Sequence, residues 1–317
     1  MTMRYRTVAV AALVIGVGVG TAGCGRYSLD ALKGQKAYKE ANDLYKASDW
    51  RGAAAKYEYV LEKDPSRVEV YFFLANSYDN AYKPARAGEA ANDSYIQKAI
   101  ENYRKAAEKD TNPDMKRLAL QYLTAAYGSE KLNDPSQAEP VVQQLISADP
   151  NEPANYFALS RIYEDAGRYE EAEAALNKAR DAKPDDPSVY TTISGFYNRQ
   201  GQFDKTIEAL HKAADLKPND PQGHQLVAVY YFDKTNKDHR LSAAQKRAYA
   251  EKGVESSNRA LALNPEYSDA LTYKNLLLRI LANVETDRAK QQELLRQAEQ
   301  LRNKAIELNK KKTAGTN

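Results

Sequence analysis

The 317-residue chain is poor in the residue types that build metal and redox sites. Its one cysteine, Cys24, excludes an intramolecular disulfide and a cysteine metal cluster. Its three histidines, His211, His224 and His239, lie far apart and share no ligand spacing, so no metal site is expected. No His-Glu-x-x-His, phosphate-binding glycine loop, Gly-x-Gly-x-x-Gly or Gly-x-Ser-x-Gly element occurs. The chain is therefore read as non-enzymatic, with no catalytic residues and no cofactor. Charge of one sign is also lacking: the formal net charge is +3, which argues against non-specific nucleic-acid binding. Strand-type alternation of useful length is absent.

What is present is a period. Residues 153–186 and 187–220 form two consecutive 34-residue blocks that align without a gap. Tyr156 matches Tyr190, Leu159 matches Ile193, and Tyr163 matches Tyr197. Gly167 matches Gly201, Ala172 matches Thr206, Leu176 matches Leu210, and Pro184 matches Pro218. Many of the 23 tyrosines fall at such positions and are read as core rings, not as a base-stacking surface.

The start of the chain has a different logic. Arg4 and Arg6 precede an apolar run over 8–20, then Thr21, Ala22, Gly23 and Cys24. A basic start, a short apolar stretch and small residues before a cut describe a secretory signal. The run is too short and too glycine-rich for a comfortable membrane span. Ala22, Gly23 and Cys24 resemble the lipobox of bacterial lipoproteins, with Thr21 where that family usually has Leu. The resemblance implies a signal peptide over 1–23, acyl chains such as palmitate on Cys24, and a tether over 24–33. More than one chain, at about 0.8 kcal/mol per buried CH₂, makes a stable anchor. Gly25 stands where inner-membrane members often carry Asp, so the resemblance points to the outer membrane, facing the periplasm.

Propagating the period outward accounts for 34–308. The first repeat uses Ala41, Trp50, Ala53, Tyr57 and Pro65. The second uses Tyr71, Leu74, Ala75 and Tyr78, then Ala99, Tyr103 and Ala106. The sixth uses His224, Val227, Ala228 and Tyr231, then Gly253, Ser257, Ala260 and Pro265. Asp134, Asp186 and Asp220 each precede a proline, which pairs a helix cap with proline at the first helical position. Ser242 with Gln245 reads as a capping box. Gly167 and Gly201 fall at the turns between helices.

These residues resemble tetratricopeptide repeats. The resemblance implies an all-α, right-handed superhelical solenoid of about seven helix–turn–helix repeats, ending in a charged cap and a disordered tail over 309–317. It also implies that protein or peptide segments bind on a concave face lined by the first helix of each repeat. The inward slots are Tyr38, Asn42, Tyr45, Phe72, Asn76, Asp79, Phe157, Arg161, Glu164, Thr191, Asn198, Arg199, Gln225, Val229 and Phe232. Aromatic anchors with Arg suit a protein-binding surface. The family's clamp for a partner's C-terminal carboxylate maps onto Tyr38, Asn42, Phe73, Leu118 and Tyr122, where only Asn42 fits, so that recognition is not expected.

Two insertions break the period, over 80–93 and 233–252, and both interrupt the turn inside a repeat. The second is basic through Lys234, Lys237, Arg240, Lys246, Arg247 and Lys252. Length variation in a surface turn is favoured over a docking role. His211 is expected at the surface and His224 in packing. The expectation is a lipid-anchored envelope scaffold or adaptor, serving envelope assembly, secretion or pilus machinery, or cell-wall enzymes. The alternative is a periplasmic small-ligand binder or an enzyme accessory subunit. The oligomeric state is left open.

Overall fold

A computed structural model describes residues 29–314. Cys24, the expected signal segment over 1–23 and residues 315–317 lie outside the described residues. Every element described is helical, and the chain divides into two compact units, residues 1–122 and 123–317.

Unit 1 holds α1 (Leu29–Lys46), α2 (Trp50–Lys63), α3 (Val70–Ala81), α4 (Ala90–Lys109) and most of α5 (Pro113–Tyr127). Helices α1 and α2 pack as a pair, as do α3 and α4, and α2 packs on α3. Small residues permit the close approach: Ala41, Ala53, Ala75 and Ala99 are all fully enclosed. Tyr57 and Tyr103 fill the space between pairs with no exposed surface. Neither pair could bury its apolar side alone, so stacking is what makes the unit stable.

Unit 2 holds α6 (Pro135–Ala148), α7 (Pro153–Asp165), α8 (Tyr169–Ala182), α9 (Pro187–Arg199) and α10 (Phe203–Asp215). It continues with α11 (Pro221–Lys237), α12 (Ala243–Leu263), α13 (Ser268–Asn283) and α14 (Arg288–Ala314). Each of these helices packs on its neighbours in sequence, and α11 also meets α13. Among the described residues there are fourteen α-helices, and α1–α2, α3–α4, α7–α8, α9–α10, α11–α12 and α13–α14 each pack as a successive pair, as in the all-α solenoid that the period predicts.

Local chemistry sets the ends of the elements. The carboxylates of Asp134, Asp186 and Asp220 accept from the backbone N–H of Gln137, Ser188 and Gln222, each ahead of a proline. Such a cap contributes about 1 kcal/mol. Ser242 and Gln245 form the full reciprocal capping box. Within the pairs, Arg168 N–H donates to Tyr163 C=O at 2.8 Å and Gln202 N–H to Tyr197 C=O at 2.9 Å. These bonds need a left-handed residue just before the donor, supplied by Gly167 (φ 75°) and Gly201 (φ 69°).

Three boundaries differ from expectation. Helix α1 begins at Leu29, inside the expected tether, with Asp30 in its first turn where the helix dipole favours an acid. Helix α14 runs to Ala314, past the boundary drawn at 308. Lys311 there reaches Glu307 at 2.7 Å and suits the negative helix end. The insertions are mostly not loops. Residues 82–89 make one tight turn containing a short 3-10 segment, Pro84–Arg86, and the rest of that insertion belongs to α3 and α4. The second insertion lengthens α11 and α12 to 17 and 21 residues, against 13 each in α9 and α10.

Candidate functional site

The inner slots of the first helices behave differently in the two units. In unit 1 they are tied into the core. Tyr45 Oη donates to Asn76 Oδ1 at 2.6 Å, and Asn76 Nδ2 donates to Tyr103 Oη at 3.2 Å. Tyr103 Oη in turn donates to Asp79 at 3.3 Å. Burial pushes the Tyr45 hydroxyl up to about 12 and Tyr103 well above its ordinary value. Asn42 accepts from Tyr57 Oη at 2.7 Å, which occupies the one residue that fitted the carboxylate clamp. Tyr38 lies with its ring 4.5 Å from the Arg67 guanidinium.

Phe72, Asn76 and Asp79 are therefore corrections: they are buried, not open groove residues. Phe72 meets Tyr122 edge-on at 5.5 Å and Tyr103 at 5.8 Å. Bulky rings in neighbouring slots close over it. Tyr38, Tyr45 and Phe73 are half-buried on this side, and Tyr122 is 37 % exposed. Phe73 packs edge-on to Tyr45 at 5.7 Å and stacks on Tyr57 at 6.1 Å. Lys39 and Lys46 share a face of α1 with Asn42, at helical spacing, and both are exposed. Neither has an ion-pair partner among the described residues. Neither lysine is among the expected inward slots, which hold Asp79, Arg161, Glu164 and Arg199 but no lysine.

In unit 2 the inner charges satisfy one another. Arg199 Nε and Nη2 donate to the two Glu164 oxygens at 2.8 and 2.9 Å, and Gln200 adds a bond at 3.3 Å. Burial raises the Glu164 carboxyl, but these bonds outweigh it and hold the group below the usual carboxylate range. Arg161 stands 3.0 Å from Asp165. Thr191 donates to the Pro187 carbonyl at 3.0 Å, and Asn198 is exposed. Phe157, Gln225 and Val229 are half-buried, and Phe232 packs edge-on to Tyr273 at 5.6 Å. The predicted residues thus form two sets, one in each unit.

A second feature was missed although the period carries it. Glu139 and Glu173 are one period apart, as are Tyr163 and Tyr197. Tyr163 Oη donates to Glu139 at 2.8 Å, and Tyr197 Oη to Glu173 at 2.7 Å. A cation closes each triangle. Arg168 is 2.8 Å from Glu139 and 4.3 Å from the Tyr163 ring centre. Lys205 is 3.0 Å from Glu173 and 4.8 Å from the Tyr197 ring centre. Tyr78, Glu58 and Lys98 repeat the arrangement in unit 1. Burial, then the bond to glutamate, pushes the Tyr78 and Tyr163 hydroxyls up to about 12. Each triangle rivets one helix pair to the next.

The insertions are likewise internally satisfied. Asn92 accepts from Lys83 N–H and donates to the Lys83 and Arg86 carbonyls, which fixes the 82–89 turn. In the second insertion Lys234 and Arg240 pair with Asp238, Lys237 with Asp233, and Arg247 with Glu285. Its basic character is largely cancelled locally. One period beyond Glu173 stands Ile207, so no rivet forms there. Tyr249, from the inserted stretch, packs instead on Phe203 and Tyr231 at 5.3 and 6.2 Å. His211 is half-buried, not at the surface. Among the described residues no group of three His, Cys, Asp or Glu could hold a metal ion, and no helix is long and apolar enough to cross a membrane.

Comparisons agree with this architecture. Residues 38–103 and residues 130–194 each match a tetratricopeptide repeat family model. A comparison with curated proteins finds no match. The C-terminal part of a TPR repeat-containing protein from Cytophaga hutchinsonii is similar in structure, with TM-score 0.53 and 19% identity, covering 86% of this chain and 98% of that one. A MamA protein has TM-score 0.43 and 20% identity, with 66% and 98% covered. YrrB, described as a TPR protein with an unusual peptide-binding site, has TM-score 0.39 and 20% identity, with 57% and 85% covered. At such identities the likeness speaks for the fold alone.

Proposed function

We propose that this tetratricopeptide repeat protein is a lipid-anchored scaffold of the cell envelope that holds a protein segment against the inner side of unit 1. The observation that carries the reading is the pairing of partly exposed rings with unpartnered cations. Tyr38, Phe73 and Tyr122 offer apolar surface, and Lys39 and Lys46 stand exposed on α1 with no ion pair among the described residues. Aromatic anchors in a rigid, pre-organised surface bind at low entropic cost. The network from Tyr45 through Asn76 to Tyr103 supplies that rigidity. A partner segment would bring an apolar side chain to the rings and acids to the lysines.

The anchor is the lipobox-like Ala22-Gly23-Cys24, with Cys24 acylated and the chain held at the outer membrane, facing the periplasm. Cys24→Ser should move the protein from the membrane fraction to the soluble one. Retention after a salt wash would overturn the anchor. For the groove, a photo-crosslinker at Tyr122 should capture a defined partner that the same probe at Lys178, on α8, does not. Identical capture from both positions would count against the unit 1 site.

A further inference from the structure

Two of the three histidines, 13 residues apart, lie on the packed helices α10 and α11, where the charge of His224 acts on His211. His211 lies on α10, one turn before Asp215, and His224 lies near the start of α11. Each feels the charge of Arg259 on α12, and His211 also feels His224. Arg259 is itself 2.8 Å from Glu255. Asp215 acts on both rings in the opposite sense, as Glu255 does on His211. Helix α13, which also packs on α11, carries Asp269, Lys274 and Arg279.

The packing leaves little room for adjustment. A Cβ on Gly223 would stand 2.9 Å from the Ala214 Cα, so α10 and α11 are in backbone contact beside His224. His224 Nδ1 is enclosed and has no hydrogen-bond partner. A neutral ring tolerates this with a bare lone pair there. A protonated ring would place a charged N–H donor in the same enclosed spot, with nothing to accept it.

We propose that the α10–α11–α12 junction is an acid-operated joint: closed while His211 and His224 are neutral, and loosened when they take up protons. Burial first, then Arg259, holds both rings below their ordinary value, and the pull of Asp215 is outweighed. The unfolded chain takes these protons near its ordinary value of about 6.5, and the folded joint only at lower pH. The stability of the joint is therefore complete above that ordinary value and is lost as pH falls below it. Helix α11 carries Gln225, Val229 and Phe232, so a loosened joint alters what unit 2 presents on its inner side.

Amide exchange of the full chain at pH 7.5 and 5.5, corrected for intrinsic rates, reads this directly. Protection over α11 and the facing part of α12 should fall about five-fold or more at the lower pH, relative to α7 and α8. A His211→Gln, His224→Tyr double variant, with tyrosine as at the equivalent Tyr156 and Tyr190, should lose that dependence. Unchanged protection in the native chain would overturn the joint, as would an equal acid loss in the double variant. If the double variant does not fold, imidazole proton shifts of the native chain decide. Midpoints below the ordinary histidine value support the joint, and midpoints at or above it overturn the proposal.

Discussion

Units 1 and 2 use one repeat pattern but spend their polar groups in different places. Both rivet adjacent pairs with a tyrosine, a glutamate and a cation: Tyr78, Glu58 and Lys98 in unit 1, Tyr163, Glu139 and Arg168 in unit 2. On the inner side they part. Unit 1 turns its amides and hydroxyls inward, into the Tyr45–Asn76–Tyr103 chain, and leaves Lys39 and Lys46 unpaired. Unit 2 pairs its inner charges, Arg199 with Glu164 and Arg161 with Asp165. A surface whose charges are already paired has little to offer a charged partner, because binding must first break those pairs. Unit 1 reads as the receptive unit and unit 2 as the regular one.

The largest effect should come from the core that makes unit 1 rigid. Tyr57 has no exposed surface, packs against Tyr38, Tyr45 and Phe73, and donates to Asn42. Tyr57→Ala should cost about 4 kcal/mol by denaturant unfolding. It should also abolish partner capture at Tyr122. A cost below about 1 kcal/mol would mean that the aromatic stack does not hold the unit together.

Next in size is the inner ion pair of unit 2. The Glu164 side chain is 9% exposed, and Arg199 makes two bonds to it. Arg199→Ala should destabilise by about 1–2 kcal/mol, because it leaves a nearly enclosed carboxylate with only the Gln200 amide at 3.3 Å and Arg161 at 4.0 Å. The pH dependence gives the sign. A carboxyl held below its ordinary value of about 4.3 stabilises the fold above that value, and the contribution is lost as pH falls through the lower folded value. The variant should therefore lose less stability than the native chain in moving from pH 6 to pH 3. An identical acid profile in both would break the contrast between paired and unpaired inner faces.

Smaller still is a single rivet. Tyr163→Phe keeps the ring and the cation above it but removes the bond to Glu139, at a cost of about 1 kcal/mol. Tyr78→Phe should cost about the same in unit 1, since the two triangles are built alike. A difference of more than about 1 kcal/mol between the two variants would show that the shared device is not equivalent in the two settings.

These devices also mark what the sequence could and could not convey. Caps at Asp134, Asp186, Asp220 and Ser242 and the turns at Gly167 and Gly201 follow from local chemistry and stand where the residues predict. So does the pairing of helices, because the period fixes which faces must be buried. The inner side was only half legible. An inward slot holds an open residue only if its neighbours are small, and at Phe72 the neighbours are Phe73, Tyr103 and Tyr122. The second insertion was legible at its cap: Ser242 and Gln245 mark a helix start inside it, and its Ala, Gln, Lys and Arg, which favour helix, carry that helix on as α12. Its Tyr249 reaches Phe203 and Tyr231 where the ionic rivet fails, a tertiary contact that no local pattern records.

The smallest effect on stability should still carry a large effect on binding. Lys39 and Lys46 are exposed and unpaired, so Lys39→Glu with Lys46→Glu should shift stability by no more than about 0.5 kcal/mol. Charge reversal should nevertheless weaken the partner about tenfold or more at low salt, and the loss should shrink as salt screens it over about 10 Å. The matched change in unit 2, Phe157→Ala with Arg161→Ala, should leave partner affinity within about twofold, since Arg161 already answers to Asp165. Pull-down with both variants across a salt series separates the two units. If the unit 2 variant loses the partner and the unit 1 variant keeps it, the receptive face lies with the paired charges, and exposed cations beside aromatic rings were the wrong guide to it.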